Sequence, residues 1–198
     1  MERRNFLAYS GSLFAGVMSL SSKLFGKSSG CQTDEDVQGP FLRAGAPERN
    51  DLAVDYKGSN GAPLEVRGKI LSDDCITPVP NALIELWHAG PDGQYDEHSD
   101  RFVFRGRVRS GINGDYYFRT LLPKGYKDGV LDRPAHIHYI VNESKHKKLV
   151  TQLYFKGDPK LDNDIFIQRN NGKKRAVAYP QDINGVHQVV FDIVLTKS

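Results

Sequence analysis

Cysteine is nearly missing from this sequence: Cys31 and Cys75 are the only two in 198 residues. Two cysteines cannot build the multi-disulfide frame of a small secreted scaffold, nor a cysteine-rich zinc or iron–sulfur site. Long apolar runs are missing as well, and no stretch reaches the roughly 18 residues that a membrane-spanning helix needs. The body of the chain also lacks any charge imbalance. The formal charge is +3, yet Arg3, Arg4, Lys23 and Lys27 face only Glu2 in residues 1–31. Residues 32–198 set 23 Lys and Arg against 23 Asp and Glu. A neutral body carries no electrostatic footprint for nucleic acid, and that partner is excluded. No long amphipathic helical period runs through the chain either. What is present instead is 19 Gly, 10 Pro, 10 Phe and 9 Tyr, a composition that favours strands and turns.

Residues 1–31 read as an export signal. They have a basic start, an apolar middle from Leu13 to Met18, and a small-residue end, Ser28-Ser29-Gly30-Cys31. Arg3-Arg4-Asn5-Phe6-Leu7 resembles the twin-arginine motif, the route for proteins that fold before crossing a membrane. The pattern predicts a protein exported to the periplasm or cell envelope; the bland alternative is a frayed amphipathic helix. Gly30-Cys31 also resembles a lipoprotein cleavage site, which would anchor the chain to a membrane through Cys31 and leave Cys75 without a partner. Ser28 stands where such sites carry Leu or Val.

Residues 32–62 are rich in Gly, Pro, Asp and Asn and predict an extended arm, long enough to reach a neighbour in a homo-oligomer. From residue 63 to 198 strand-like segments succeed one another. Leu64, Val66, Gly68 and Ile70 share one face, and residues 82–88 form a nearly continuous apolar strand. Further strands are expected at 115–119, 135–141, 149–155 and 186–195, with one short helix over 163–169. These spacings predict an all-β domain, an antiparallel β-sandwich with an extended N-terminal arm and long loops around its site.

Arg133-Pro134-Ala135-His136-Ile137-His138 is the sharpest local signal. Residues two apart on a strand point to one face, so His136 and His138 project together, either as a pair of metal ligands or as hydrogen-bonded groups on a polar face. Tyr95 and Tyr126 sit in Gly- and Pro-containing turns before them, where packed tyrosines with wet hydroxyls are the bland reading. With a free pKa of about 10, a phenol becomes a phenolate at neutral pH only beside a strongly Lewis-acidic ion. Ferric iron suits phenolate plus imidazole.

Several motifs in order then carry a family resemblance. Residues 82–89 followed by Gly93-Gln94-Tyr95 resemble the central strand and first tyrosine of the intradiol ring-cleavage dioxygenases. Phe104-Arg105-Gly106-Arg107 with residues 114–120, and Pro123-Lys124-Gly125-Tyr126, resemble that family's next hairpin and second tyrosine. Residues 133–138 resemble its histidine segment, Thr151-Gln152-Leu153-Tyr154-Phe155 the strand after it, and Gln38-Gly39-Pro40-Phe41 its opening segment.

The resemblance implies a non-haem Fe(III) held by Tyr95 and His136 in the equatorial plane and by Tyr126 and His138 along the axis. Arg133 would stabilise charge on the bound ring, and Gln152 would line the same pocket. The implied reaction opens a small aromatic diol, a catechol, with O2 to a muconate-type diacid, as in aromatic compound catabolism. Two departures leave the substrate open. Lys127 to Asp132 lacks the aromatic residues of protocatechuate dioxygenases, and residues 32–62 are too few for the helical N-terminal domain of catechol and hydroxyquinol enzymes. The competing class is a non-catalytic β-sandwich that binds envelope components; a metallohydrolase would need a third histidine or carboxylate at a convincing spacing. Trp87 is read as core packing, His88 and His98 as solvated or supporting groups, and Lys145 to Lys148 as solvated loop charges.

Overall fold

The computed structural model describes residues 30–169, 176–178 and 180–198. The expected leader up to Ser29 lies outside the described residues, as does Lys173-Lys174-Arg175, a run whose composition reads as solvated loop charge. In chain order the strands are β1 (Pro63–Leu71), β2 (Leu83–His88), β3 (Arg105–Arg109), β4 (Asp115–Leu121), β5 (Tyr126–Asp128) and β6 (Leu131–Arg133). They continue with β7 (His136–Asn142), β8 (Leu149–Phe155), β9 (Ala176–Ala178), β10 (Gln181–Ile183), β11 (Val186–Val190) and β12 (Ile193–Val194). Between β8 and β9 lie a 3-10 turn, Leu161–Asn163, and the helix α1 (Ile165–Arg169).

Two sheets face each other. In the first, β1 pairs antiparallel with β4 on one edge and parallel with β11 and then β12 on the other, and β10 extends it beyond β11. The second has the order β3-β2-β7-β8-β9, and β5 pairs with β6 alone as a small hairpin. The expected sandwich is present. Its C-terminal strands depart from pure antiparallel pairing because they return along β1 in its own direction, as β9 does along β8. Where β11 hands over to β12, the chain presses on Gly68: a Cβ there would lie 1.9 Å from the Phe191 carbonyl oxygen. Only glycine allows that approach.

Apolar side chains of the two inner faces form the core, with Leu64, Val66 and Ile70 meeting Ile84, Leu86, Ile137, Tyr139 and Val141. Strand parity on β7 fixes the side of the sheet on which the histidines lie. Ile137, Tyr139 and Val141 go inward, so His136 and His138 go to the outer face of the second sheet. Both faces of β7 are nonetheless buried, because the arm covers the outer one.

The arm runs along its own sandwich. The Asp36 N–H donates to the Val150 carbonyl at 2.8 Å, Thr151 Oγ1 to the Asp34 carbonyl at 2.8 Å, and Gln152 Nε2 to the Val37 carbonyl at 2.6 Å. Further on, the arm bridges β3 at Arg107 and β4 at Arg119, and Leu52 is fully buried between the sheets. Its start is tied down twice, by the Thr33–Val194 backbone contact and by a Cys31–Cys75 disulfide. This corrects the reading of Cys75 as unpartnered. A sulfur in that bond cannot at the same time carry the thioether of a lipid.

Candidate active site

The ligand candidates meet because three elements converge on the outer face of the second sheet. β7 supplies His136 and His138 from a strand paired on both sides, to β2 and to β8. Tyr95 leaves a tight turn after β2, closed by Gly93 N–H to Gly90 O at 2.9 Å and Gly90 N–H to Gln94 O at 2.8 Å. Gly93 takes φ +80, which a side chain would resist, and its missing Cβ lets the Gly125 carbonyl approach. The Lys124 N–H donates to the Gly90 carbonyl at 3.2 Å, so the turn before Tyr126 is fastened to the turn before Tyr95. Tyr126 itself starts β5 and faces Arg133 across the hairpin, where an open loop was expected.

Tyr95 Oη lies 3.1 Å from His138 Nε2 and 3.4 Å from His136 Nε2, and the two imidazole nitrogens are 3.1 Å apart. The Tyr126 ring stands edge-on to Tyr95 at 5.2 Å between centroids and 5.7 Å from His136. The Pro134 carbonyl, 2.7 Å from His136 Nδ1, holds the proton on that nitrogen and leaves the Nε2 lone pair facing the cluster. Burial pushes the His136 pKa down to about 3, with the Arg133 charge adding to the effect, and burial with His136 and Arg133 holds His138 well below its ordinary value. Burial also raises the Tyr95 phenol well above 10, reinforced by Tyr126 and opposed by Arg133. The folded pocket therefore disfavours an imidazolium and, without a cation, a phenolate.

That chemistry fits a hard metal ion. Three lone-pair atoms converge where at most a shared proton or two could sit between them, and the His138 Nδ1 is buried without a partner. A cation bound among them would relieve the crowding and draw Tyr95 into its anionic form. Among the described residues no three His, Cys, Asp or Glu gather as a metal cluster, so the tyrosines are needed to complete the set.

Arg133 is buried beside these groups. Its Nε donates to Asp164 Oδ2 at 2.6 Å, and its Nη2 to Gln152 Oε1 and Tyr154 Oη, both at 3.1 Å. Burial works against its charge, but Tyr154 and Asp164 outweigh that and raise its pKa. Gln152 and Tyr154 leave the same face of β8 as the histidines leave on β7, in register His138 to Gln152 and His136 to Tyr154. The arm closes the site from above: Phe41 stacks on Tyr95 at 4.2 Å, and Gly39 lies over His138.

A dioxygenase family description matches residues 37–197. The chain belongs to the intradiol ring-cleavage dioxygenases. It is 34% identical over 195 residues to catechol 1,2-dioxygenase of Acinetobacter baylyi, covering 83% of this chain and 62% of that protein. To hydroxyquinol 1,2-dioxygenase of Nocardioides simplex it is 31% identical over 223 residues, covering all of this chain and 75% of the relative. The chain thus spans about three fifths of the catechol 1,2-dioxygenases it first matches. Among solved structures, the dioxygenase domain of a dioxygenase carbohydrate-binding protein fusion from Streptomyces sp. SirexAA-E superposes with a TM-score of 0.70 at 27% identity, over 84% of this chain and 99% of that one. The 3-chlorocatechol 1,2-dioxygenase of Rhodococcus opacus shares the fold at a TM-score of 0.75 and 23% identity, over 87% and 76% of the two chains.

The residues singled out from sequence, Tyr95, Tyr126, His136, His138, Arg133 and Gln152, lie together on the outer face of the second sheet. Three neighbours were missed. Tyr154 was findable, being two residues beyond Gln152 on the same strand face. Asp164 and Asp36 were not, because each lies in a separate loop and only folding brings it to Arg133 or Tyr154. Trp87 is a correction: it faces away from Ile84 and Leu86 and stacks on the His138 imidazole at 4.6 Å, 3° from parallel. His88 is another, since it points into the sandwich and is 1% exposed. His146 is not a solvated charge either; its Nδ1 meets Glu143 Oε2 at 2.6 Å and its Nε2 meets Ser72 Oγ at 3.0 Å.

Proposed function

We propose that this protein cleaves a catechol-type ring between its two hydroxyl-bearing carbons with O2, using Fe(III) held by Tyr95, Tyr126, His136 and His138. The observation that carries the reading is the convergence of Tyr95 Oη, His136 Nε2 and His138 Nε2 within 3.4 Å, with Tyr126 alongside. When bound, the ferric ion would draw electron density from a chelated catecholate, so that a ring carbon can react with dioxygen. The protein's own groups do the rest. A tyrosinate oxygen at Tyr126 accepts a substrate hydroxyl proton, which a neutral imidazole held at low pKa would do poorly. Arg133 keeps a permanent positive charge against the electron-rich ring. The arm at Gly39 and Phe41 keeps bulk water from the ligands.

The test is iron content, visible spectrum and oxygen uptake of purified protein with a panel of catechols. Close to one iron per chain, a red phenolate-to-iron band and catechol-dependent uptake are expected. An iron-replete sample that consumes no oxygen with any catechol would leave a binding module of the envelope in its place.

We also propose export through the twin-arginine leader. The disulfide supports it, because such bonds persist in oxidising compartments. Replacing Arg3 and Arg4 by Lys should strand folded protein in the cytoplasm, and normal delivery of that variant would remove the proposal.

A further inference from the structure

Asp164 does two jobs with its two oxygens. Oδ1 accepts the N–H groups of Phe166 and Ile167 at 3.0 and 2.9 Å, which caps the first turn of α1. Oδ2 takes the Arg133 Nε–H at 2.6 Å, with the two side chains 1% and 4% exposed. The capped turn then sets Phe166 against the face of the same guanidinium, 4.6 Å from its ring centroid. Arg133 is thereby fixed along its edge by a carboxylate, on its face by an aromatic ring, and at Nη2 by Gln152 and Tyr154. Among the described residues its bonds run from Nε and Nη2, which leaves Nη1 as the end of the fork not used on them.

This arrangement goes beyond neutralising a buried charge. A long side chain such as arginine has several rotamers of similar energy, and a guanidinium that drifts by about 1 Å from a reacting ring can lose about 100-fold in rate. We infer that Asp164 is the positioning residue for Arg133: it orients the guanidinium toward the bound diol and makes that orientation depend on α1 being folded. The inference rests on the proposed activity, and it assigns Asp164 no contact with substrate.

The capping and clamping roles separate by mutation. Asp164→Ser keeps a good cap residue whose side chain is too short to reach Arg133. The measurements are catechol affinity of iron-loaded protein without oxygen, then kcat and KM with oxygen, for D164S, R133Q and the double variant. Iron content close to that of the parent is expected for D164S, with a lowered Tm because the buried guanidinium loses its carboxylate. Its anaerobic Kd for catechol should rise about tenfold and kcat/KM fall by about 10- to 100-fold. In the R133Q background the same change should cost nothing further, since an unpaired buried carboxylate has then been removed. Equal losses in both backgrounds, or parental catechol affinity in D164S, would overturn the inference. If D164S does not fold, D164N serves in its place, because its amide can satisfy the cap or Arg133 but not both. Parent protein that binds catechol but never consumes oxygen would refute the proposed activity, and the affinity cycle would still judge Asp164. Parent protein that binds no catechol would overturn both.

Discussion

His88 gives the protein a calculable weakness to acid. It sits at the inner end of β2, with Nδ1 2.8 Å from the Ala89 carbonyl and Nε2 2.8 Å from Thr120 Oγ1. Burial pushes its pKa from 6.5 down to about 4, with the Arg105 charge helping and the Ala89 carbonyl opposing. Between those two values the unfolded chain binds a proton that the folded protein refuses. Stability is therefore complete above pH 6.5 and falls as pH drops toward 4. At 1.36 kcal/mol per unit, the loss from His88 alone approaches about 3 kcal/mol. His136, lowered to about 3, and His138 act in the same direction in metal-free protein, whereas bound metal competes with their protons. The comparison that isolates His88 is denaturant unfolding of the parent and His88→Gln at pH 7 and pH 4.5, both iron-loaded. Glutamine keeps a polar partner for Thr120 but cannot be protonated. The stability gap favouring the parent at pH 7 should shrink or invert by about 2 to 3 kcal/mol at pH 4.5. A gap that stays constant to within about 0.5 kcal/mol across that range would refute the reasoning, and with it the claim that His88 is held neutral.

Two further outcomes are expected from the same geometry. Tyr126→Phe should keep the fold and much of the iron while turnover drops by about two to four orders of magnitude, whereas Tyr95→Phe should lose iron more severely; metal analysis, visible spectra and oxygen uptake on both decide it. Cys75→Ser should cost about 4 kcal/mol by loop-closure entropy for a separation of 44 residues, and added reductant should then change nothing more in its unfolding curve.

Much of this site was legible because strand parity and turn chemistry are local rules. A spacing of two fixes His136 and His138 on one face wherever β7 goes, and β8 at Leu149–Phe155 coincides with its expected span. What failed had a physical reason in each case. β2 is buried on both faces, so its composition carries no alternation, and Trp87 was placed in the core when it walls the site. β3 holds three arginines and a glycine in five residues, so only the family resemblance, and not its own alternation, marks it as a strand. It is one because carbonyls from Phe41 and Asp96 receive the buried Arg105 side chain, a contact made by the arm and a distant turn. The arm reads as an extended segment outside the core. Its polar composition conceals that its backbone, more than its side chains, bonds to β8 and bridges β3 and β4.

The four ligand candidates do not rest on equally firm ground. His136 and His138 belong to a strand hydrogen-bonded along both edges, and the β2 neighbour at that register adds Trp87 stacked flat on His138. Moving either imidazole means breaking the middle of a sheet. Tyr95 is held by a closed turn, by Phe41 stacked on its ring, and by Arg105, whose guanidinium lies 6.0 Å from the ring centroid. Tyr126 is different. Its hairpin pairs only with itself, three residues against three, and at the far end Val130 is fully exposed. A short two-stranded ribbon that joins neither sheet is the least costly element here to displace. On the proposed function, Tyr126 is the ligand candidate with the least to break on leaving. The same hairpin ends on Arg133, so a shift of Tyr126 would pull on the arginine across the Tyr126–Arg133 pair unless the guanidinium were anchored independently. The carboxylate of Asp164 and the ring of Phe166, both from outside the hairpin, supply that anchor. One strand of the ribbon can then move with its tyrosine while the Arg133 guanidinium stays in place.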